Sequence, residues 1–364
     1  MAGRIPRQSL AALAAALLLA LLAAGADQPL TSDQRAVMEH ISADSLRGNL
    51  SFLASDLLEG RATPSRGLDL AAEYVSAQFR RAGLEPAGDD GYFQTATLAD
   101  AGDRGKRLAQ SMGVDDLSSV KMRNVVGILR GSDPDLRDTY VMLSSHYDHL
   151  GMAPSGDDRI YNGANDDASG SASVIEVADA LAALPVHPKR SILFILFYGE
   201  ERGLWGSRYY AAHPLVPPAQ TVAQLNVEQV GRTDDSEGPQ VRTATVTGYD
   251  FSEVPGILAD AAQAAGIRVY KHPKNSDLYF SRSDNQSLAD LGIPAHTLSV
   301  AFDFPDYHKV SDSWEKIDYD NMAAVDRAVA LGMLRLASGA PPPKWNEQYA
   351  PARRYVDAAR RLRP

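Results

Sequence analysis

Apolar residues along this chain occur in two patterns. Short, nearly continuous apolar runs predict strands at 124–130, 140–145, 191–198, 221–230, 243–247 and 296–300. The run at 191–198 is apolar throughout, as expected of a strand that is buried on both faces. Apolar positions at helical spacing predict helices at 31–60, 66–83, 169–184, 256–265, 285–291 and 321–338. Residues 97–120 are polar and show no period, so we expect a loop or a small insertion there.

The order of these elements indicates the fold class. Strands alternate with helices from residue 124 onward, which predicts an α/β domain around a mostly parallel sheet. We expect one domain at 27–340, with helices at 31–84 ahead of the sheet. Three prolines at 341–343 end this domain, and the tail at 341–364 is basic.

The first 26 residues have the pattern of a cleaved export signal. Arg4 and Arg7 precede an Ala/Leu run at 10–24 that is short for a membrane span, and small residues suited to cleavage follow it. We therefore expect removal of 1–26 and a mature protein without a membrane span, in the periplasm or outside the cell. An uncleaved N-terminal anchor is the alternative.

Composition removes several classes of function. The 364 residues include no cysteine, which excludes disulfide frameworks, thiolate metal sites and cysteine nucleophiles. The net charge of −10 argues against a nucleic-acid partner, because phosphate binding calls for clustered lysine and arginine. A hydrophobic fraction of 45% at this charge is that of a globular protein and not of a disordered one.

Polar clusters follow the predicted strands. They are Ser144–His149, Gly163–Gly170, Gly199–Arg202, Asn226–Glu228 and Asp306–His308. Each cluster alone also fits an ordinary role, such as a helix cap or a solvated strand end. Because ligands bind at the carboxyl ends of parallel strands, we expect the clusters to meet at one edge of the sheet.

A group of histidines and carboxylates at one sheet edge points to bound metal. So many carboxylates would repel one another and would be costly to bury without compensation. Imidazole and carboxylate groups without sulfur suit zinc in an open catalytic site, or manganese or cobalt. The excess of carboxylates suggests two ions that share a bridging group.

Six motifs carry a resemblance to a known family. They are HYDHLG (146–151), GANDDASG (163–170), YGEERGLWGS (198–207), NVEQVG (226–231), SDNQSLADLGIPA (283–295) and YHKVSDSWEKID (307–318). In this order and spacing, they make residues 120–338 resemble the co-catalytic zinc aminopeptidases. That superfamily includes secreted bacterial leucyl aminopeptidases, glutamate carboxypeptidase, glutaminyl cyclase and the transferrin receptor ectodomain. The resemblance implies a three-layer α/β/α fold with a mixed, mostly parallel central sheet.

The resemblance also implies the metal ligands. It implies two zinc ions per chain, with Asp166 as the bridging carboxylate and a cis peptide between Asp166 and Asp167. The implied ligands are His146, Asp166, Glu201, Glu228 and His308. Glu228 departs from the aspartate that is usual at its position, which puts the occupancy of the second metal site in question.

Three further residues have implied roles in catalysis. Glu200 resembles the general base, and Asp148 the carboxylate that orients the ring of His146. Tyr307 lies where related enzymes place a hydroxyl near the tetrahedral intermediate. His149 is expected to support the site and not to bind metal, since the family fills its sites without it. Asn285 replaces a commoner histidine in a loop that would affect specificity if it lines the substrate pocket.

These features together predict an exported, metal-dependent aminopeptidase. It would release N-terminal residues from peptides by means of a metal-bridging water and a glutamate general base. We expect a monomer with peptide substrates. The alternatives are a glutaminyl cyclase, a carboxypeptidase or another amide hydrolase on the same fold, or an inactive binding domain.

Overall fold

The computed structural model describes residues 30–363. The predicted export signal at 1–26 lies outside these residues. From Asp33 onward the described chain forms one compact unit. Within residues 30–363, every helix is too short or too polar to cross a bilayer.

Strands and helices alternate along the second half of the chain. The strands are β1 (Glu85–Pro86), β2 (Phe93–Thr97), β3 (Lys121–Leu129), β4 (Tyr140–His146), β5 (Gly151–Met152), β6 (Ile160–Tyr161), β7 (Ser191–Phe197), β8 (Thr221–Val227), β9 (Asp234–Asp235), β10 (Gly238–Pro239), β11 (Thr243–Val246), β12 (Arg268–Tyr270) and β13 (Ala295–Ser299). The helices are α1 (Ser32–His40), α2 (Ala43–Leu53), α3 (Arg66–Arg81), α4 (Gly102–Met112), α5 (Ser169–Ala182), α6 (Trp205–Ala212), α7 (Val254–Ala262), α8 (Asn275–Leu278), α9 (Asn285–Asp290), α10 (Tyr319–Ala337) and α11 (Arg353–Leu362).

Nine of these strands form the central sheet. Its order is β1-β3-β7-β4-β8-β13-β11-β12, with β2 also paired to β3. The four middle strands β7, β4, β8 and β13 are mutually parallel, whereas β3 and β11 run antiparallel to their inner neighbours. The predicted mixed, mostly parallel α/β sheet is therefore confirmed.

The sheet separates two hydrophobic cores. Along β7, Ile192 and Phe194 point into the larger core, and Leu193 and Ile195 point into the smaller one, because successive side chains of a strand alternate between faces. Residues of α2, α3, α5, α7 and α10 belong to the larger core, and residues of α9 and α11 to the smaller one. Because a hydrophobic core covers each face of the sheet, every residue of β4 and β7 is buried.

One helix was not among those that the sequence pattern predicts. Residues 97–120 are expected to be a loop or a small insertion, and the structure contains helix α4 there, at Gly102–Met112, which ends at Gly113 in the left-handed conformation. Only Gly105 and Ala109 of this helix are buried. Because such small residues make a narrow contact face, the stretch lacks the apolar period by which helices are recognised.

The residues after the three prolines pack onto the smaller core. Trp345 and Tyr355 are buried and stack with ring centroids 5.0 Å apart. On α11, Arg353, Arg354 and Arg360 are exposed, and the Arg354 guanidinium lies 4.6 Å from the ring centroid of Tyr355. The tail therefore contributes an amphipathic helix to the same compact unit.

Candidate metal centre

The polar residues predicted at strand ends meet at one edge of the sheet. His146 is the last residue of β4, Glu228 directly follows β8, and Glu200 and Glu201 follow β7 after a short turn. Because β7, β4 and β8 are adjacent and parallel, their carboxyl ends share one edge. The loop after β13 brings His308 to the same place.

His146 is held from two directions. Its Nε2 lies 3.4 Å from Asp166 Oδ1, and its Nδ1 lies 3.1 Å from the backbone oxygen of Asp148. The Asp148 carboxylate is fully buried and accepts hydrogen bonds of 3.0 Å from the Thr63 hydroxyl and from the backbone N–H of Glu200. Asp148 therefore fixes the His146 ring and the turn that carries Glu200.

Glu228 lies on the same side of the centre as His146. Its Oε1 accepts a hydrogen bond of 3.0 Å from the Asn226 amide and another from the Ser283 hydroxyl. Ligand atoms of His146, Asp167 and Glu228 all lie within 4.8 Å of one another, and we call these three residues the His146 cluster. Burial raises the pKa of Glu228, so its ionised form needs a nearby cation.

Asp166 connects this cluster to a second one. His308 Nε2 lies 3.1 Å from Asp166 Oδ2 and 3.3 Å from Glu201 Oε1, and His149 Nδ1 lies 3.0 Å from the same Glu201 oxygen. We call these four residues the His308 cluster. Contacts with Asp166 and Glu201 raise the pKa of His308 to about 10, which reflects a concentration of negative charge. The peptide bond between Asp166 and Asp167 is cis.

The atoms of the His308 cluster fit a bound cation. The buried atoms His149 Nδ1, Asp166 Oδ2, Glu201 Oε1 and His308 Nε2 all lack a hydrogen-bond partner within residues 30–363. They nonetheless converge, and the contacts of His308 with the two carboxylates, at 3.1 and 3.3 Å, are close to the spacing of about 3.3 Å between ligands of tetrahedral zinc. Nitrogen and carboxylate donors without sulfur suit zinc. The donor set therefore fits the metal that the sequence predicts.

Two residues hold the loop that presents Asp166. The buried Asp312 carboxylate accepts hydrogen bonds from the backbone N–H groups of Asn165 (3.0 Å) and Asp166 (3.1 Å). Burial raises the pKa of Asp312 to about 6. Arg61 is 1% exposed and donates to the carbonyls of Tyr147, Asn162 and Gly163, at 2.8, 2.7 and 2.9 Å.

The loop that carries Tyr307 and His308 is held by charge. Asp306 accepts hydrogen bonds from Arg232 (2.8 Å) and Lys316 (2.9 Å). The Tyr307 ring stacks on the His308 ring with centroids 3.9 Å apart, and 43% of Tyr307 is exposed. The phenol therefore lies beside the metal centre and within reach of a bound molecule.

A cavity of about 130 Å³ opens onto the centre. Its wall includes His146, Asp166, Glu200, Glu228 and Tyr307. Burial raises the pKa of Glu200 well above its usual range, with Glu228 and Asp284 acting in the same direction. A carboxylate with a raised pKa is a suitable proton acceptor and donor near neutral pH.

Sequence reasoning did not single out every residue that builds this centre. Arg61 and Asp312 had no assigned role, although Asp312 belongs to the last of the six motifs. His149 was expected to support the site, and the structure puts its buried ring 5.6 Å from that of His308, centroid to centroid. Asn285 bonds to the carbonyl of Phe280 and to the hydroxyl of Thr297, and it does not line the cavity.

Comparison with known proteins agrees with this centre. Residues 124–333, more than half of the chain, match the profile of Peptidase family M28. A "Probable zinc metalloprotease" of Pyrenophora teres f. teres is 29% identical over 211 residues, which are 57% of this chain but only 42% of that relative. The chain thus matches less than half of that relative's length.

Solved structures of low sequence identity share the fold. The LapA aminopeptidase of Legionella pneumophila aligns with a TM-score of 0.62 at 20% identity, over 85% of this chain and 76% of that one. An aminopeptidase from Aneurinibacillus sp. strain AM-1 aligns with a TM-score of 0.60 at 19% identity, over 84% and 96%. The fold and its site define a metallopeptidase-like α/β protein. Within that class, the chain belongs to Peptidase family M28.

Proposed function

We propose that this protein is an exported, zinc-dependent aminopeptidase that removes N-terminal residues from peptides. One observation carries the proposal: Asp166 is in contact with His146 through one oxygen and with His308 through the other. Each of these histidines has a second carboxylate nearby, Glu228 for one and Glu201 for the other. Two such clusters joined by one carboxylate suit a pair of divalent ions.

From the residues of these two clusters, the family resemblance selects those that would hold the ions. His146, Asp166 and Glu228 would hold one ion, and Asp166, Glu201 and His308 the other. Bound divalent ions lower the pKa of water and polarise the carbonyl of a substrate. The negative charge of these carboxylates would also attract the free α-amino group of a peptide, which favours an exopeptidase.

The side chains on the cavity wall supply the proton transfers. Glu200 accepts a proton from the attacking water and returns it to the leaving amine, a role that its raised pKa favours. Tyr307 donates its hydroxyl proton in a hydrogen bond to the developing oxyanion. Asp148 orients both His146 and the backbone of Glu200 and so keeps the base in position.

Export is part of the proposal because of the sequence pattern at 1–26. The charged start, the short apolar run and the small residues after it are those of a cleaved signal. Cleavage would leave a chain without cysteine, which needs no oxidising compartment to fold.

Two adjacent glutamates provide the test. In Glu200→Gln we expect kcat on an aminoacyl anilide to fall by roughly 10²- to 10⁴-fold while bound zinc stays at the wild-type level. In Glu201→Gln, the same substitution one residue later, we expect loss of bound zinc together with activity. Zinc is measured by elemental analysis of the purified protein, and thermal melting checks that both variants fold. Retained turnover in Glu200→Gln would contradict the assignment of the base.

A further inference from the structure

The cavity beside the metal centre contains one permanently charged cation. Besides residues of the centre, its wall includes Thr247, Tyr279, Arg282, Thr297, Ser299 and Phe302. Arg282 is the single lysine or arginine among all the residues that line this cavity. Arg282 is exposed and lines the same cavity as Glu200 and Tyr307.

Arg282 has no anionic partner within the described chain. Every carboxylate of residues 30–363 lies beyond ion-pair distance from it. Its guanidinium lies 4.8 Å from the ring centroid of Tyr279, a contact that orients the group and leaves its charge unneutralised. By contrast, Arg232 and Lys316 both pair with Asp306. A planar guanidinium in this state is suited to bind a carboxylate.

The rest of the cavity wall combines polar groups with aromatic rings. Hydroxyl groups come from Thr247, Thr297 and Ser299, which are 1%, 2% and 2% exposed, so they form the floor of the cavity. Leucine, isoleucine, valine and methionine are all absent from the described wall. The apolar surface that a substrate side chain can bury here is therefore that of aromatic rings such as Tyr279 and Phe302.

We propose that Arg282 selects peptide substrates by binding a carboxylate of the substrate. The inference rests on the proposed peptidase function and adds the substrate class to it. Two sources present this group: an acidic side chain on the N-terminal residue, or the C-terminal carboxylate of a dipeptide. Both place a negative charge opposite Arg282 while the α-amino group is held by the carboxylates of the metal centre. The cavity thus has opposite charges for the two ends of such a substrate.

The test compares substrates that differ only in one carboxylate. The side-chain arm uses p-nitroanilides of glutamate, glutamine, leucine and lysine, none of which has a C-terminal carboxylate. The C-terminal arm uses Leu-Gly against Leu-Gly-amide. In one of the two arms, we expect Arg282→Met to lower kcat/KM for the carboxylate-bearing substrate by about fivefold to tenfold and to leave its neutral analogue within about twofold. Arg208→Met removes an exposed arginine outside the cavity and is the matched control.

Charge reversal and salt give a second readout. Arg282→Glu should shift the preference toward lysine anilide in the side-chain arm. Wild-type discrimination should also weaken as ionic strength rises, because salt screens an exposed charge pair. Equal losses on charged and neutral substrates in both arms would overturn the role of Arg282 and leave the peptidase function standing. If wild-type protein loaded with zinc hydrolyses none of these substrates, the proposed function is rejected, and the inference with it.

Discussion

Asp326 carries a carboxylate that the fold buries without a partner. It lies on α10, is 0% exposed, and neither of its oxygens has a hydrogen-bond partner within residues 30–363. Burial raises its pKa well above the usual range, and the nearby charge of Glu176 adds to the effect. The folded chain therefore holds a proton here at pH values at which the unfolded chain has already released it.

The consequence is a pH-dependent cost of folding. A carboxyl group with a raised pKa in the folded state contributes stability at low pH, and this contribution is lost as the pH rises above the unfolded pKa. We expect Asp326→Asn to increase the free energy of unfolding by about 2 kcal/mol at pH 8 and by little at pH 4. Urea unfolding at both pH values measures this, with the exposed Asp260→Asn as the control. An equal effect of Asp326→Asn at both pH values would exclude the buried charge as its cause.

The sequence predicts the location of a single residue well where that residue belongs to a recognisable motif. His146, Asp166 and Glu228 fall in recognisable motifs at the ends of apolar runs, so their location at one sheet edge follows from the order of the strands. Arg282 and Arg61 fall in no such pattern. Whether a lone arginine faces solvent, a cavity or the core depends on tertiary contacts that its neighbours in sequence do not encode.

Arg61 belongs at the scale of elements because it joins several of them. Arg61 lies after the turn that ends α2. Its side chain donates to carbonyls beside β4 and in the loop before α5. Burial lowers its pKa to about 10, and the group remains charged at neutral pH. The loop that presents Asp166 therefore depends on an arginine far away in the sequence.

Removal of these donors should destabilise the fold. In Arg61→Met, which keeps much of the side-chain volume, four carbonyls, including that of Leu53, lose their donor, so we expect a loss of about 3 kcal/mol or more in the free energy of unfolding. Chemical denaturation measures the loss. Arg66→Met, an exposed arginine on the first turn of α3, should change stability by less than about 0.5 kcal/mol. Similar values for the two variants would mean that the carbonyls find other partners.

Elements differed in how readily the sequence predicts them. The central strands are predicted because parallel strands buried on both faces consist almost entirely of apolar residues. The sequence pattern does not predict helix α4, because the contact face of this helix consists of small residues. The short strands β5, β6, β9 and β10 pair outside the main sheet and have only two residues each, too few for a periodic pattern.

For the molecule as a whole, the metal centre is a concentration of buried negative charge. Without cations, the carboxylates of Asp166, Glu201 and Glu228 face one another at the end of the sheet. We expect chelation to lower the melting temperature by roughly 5–15 °C, because ions that bind only the folded state stabilise it by mass action. Calorimetry before and after chelation measures this shift, and added zinc should reverse it.

A variant without the bridging carboxylate is the control for that experiment. Asp166→Asn should melt at nearly the same temperature with and without chelator, since it lacks the group that both clusters share. A wild-type melting temperature that does not respond to chelator would contradict a structural contribution of the ions.

The shared carboxylate also sets an order of events during biosynthesis. The groups around Asp166 are encoded from residue 146 to residue 308, so the nascent chain has no complete centre until the loop after β13 has been translated and has docked. Contacts between residues so far apart in sequence form late in folding. We expect metal capture to be among the last steps, after the parallel strands have assembled. Ion content can then report, in a pulse-labelled sample, which chains have finished folding.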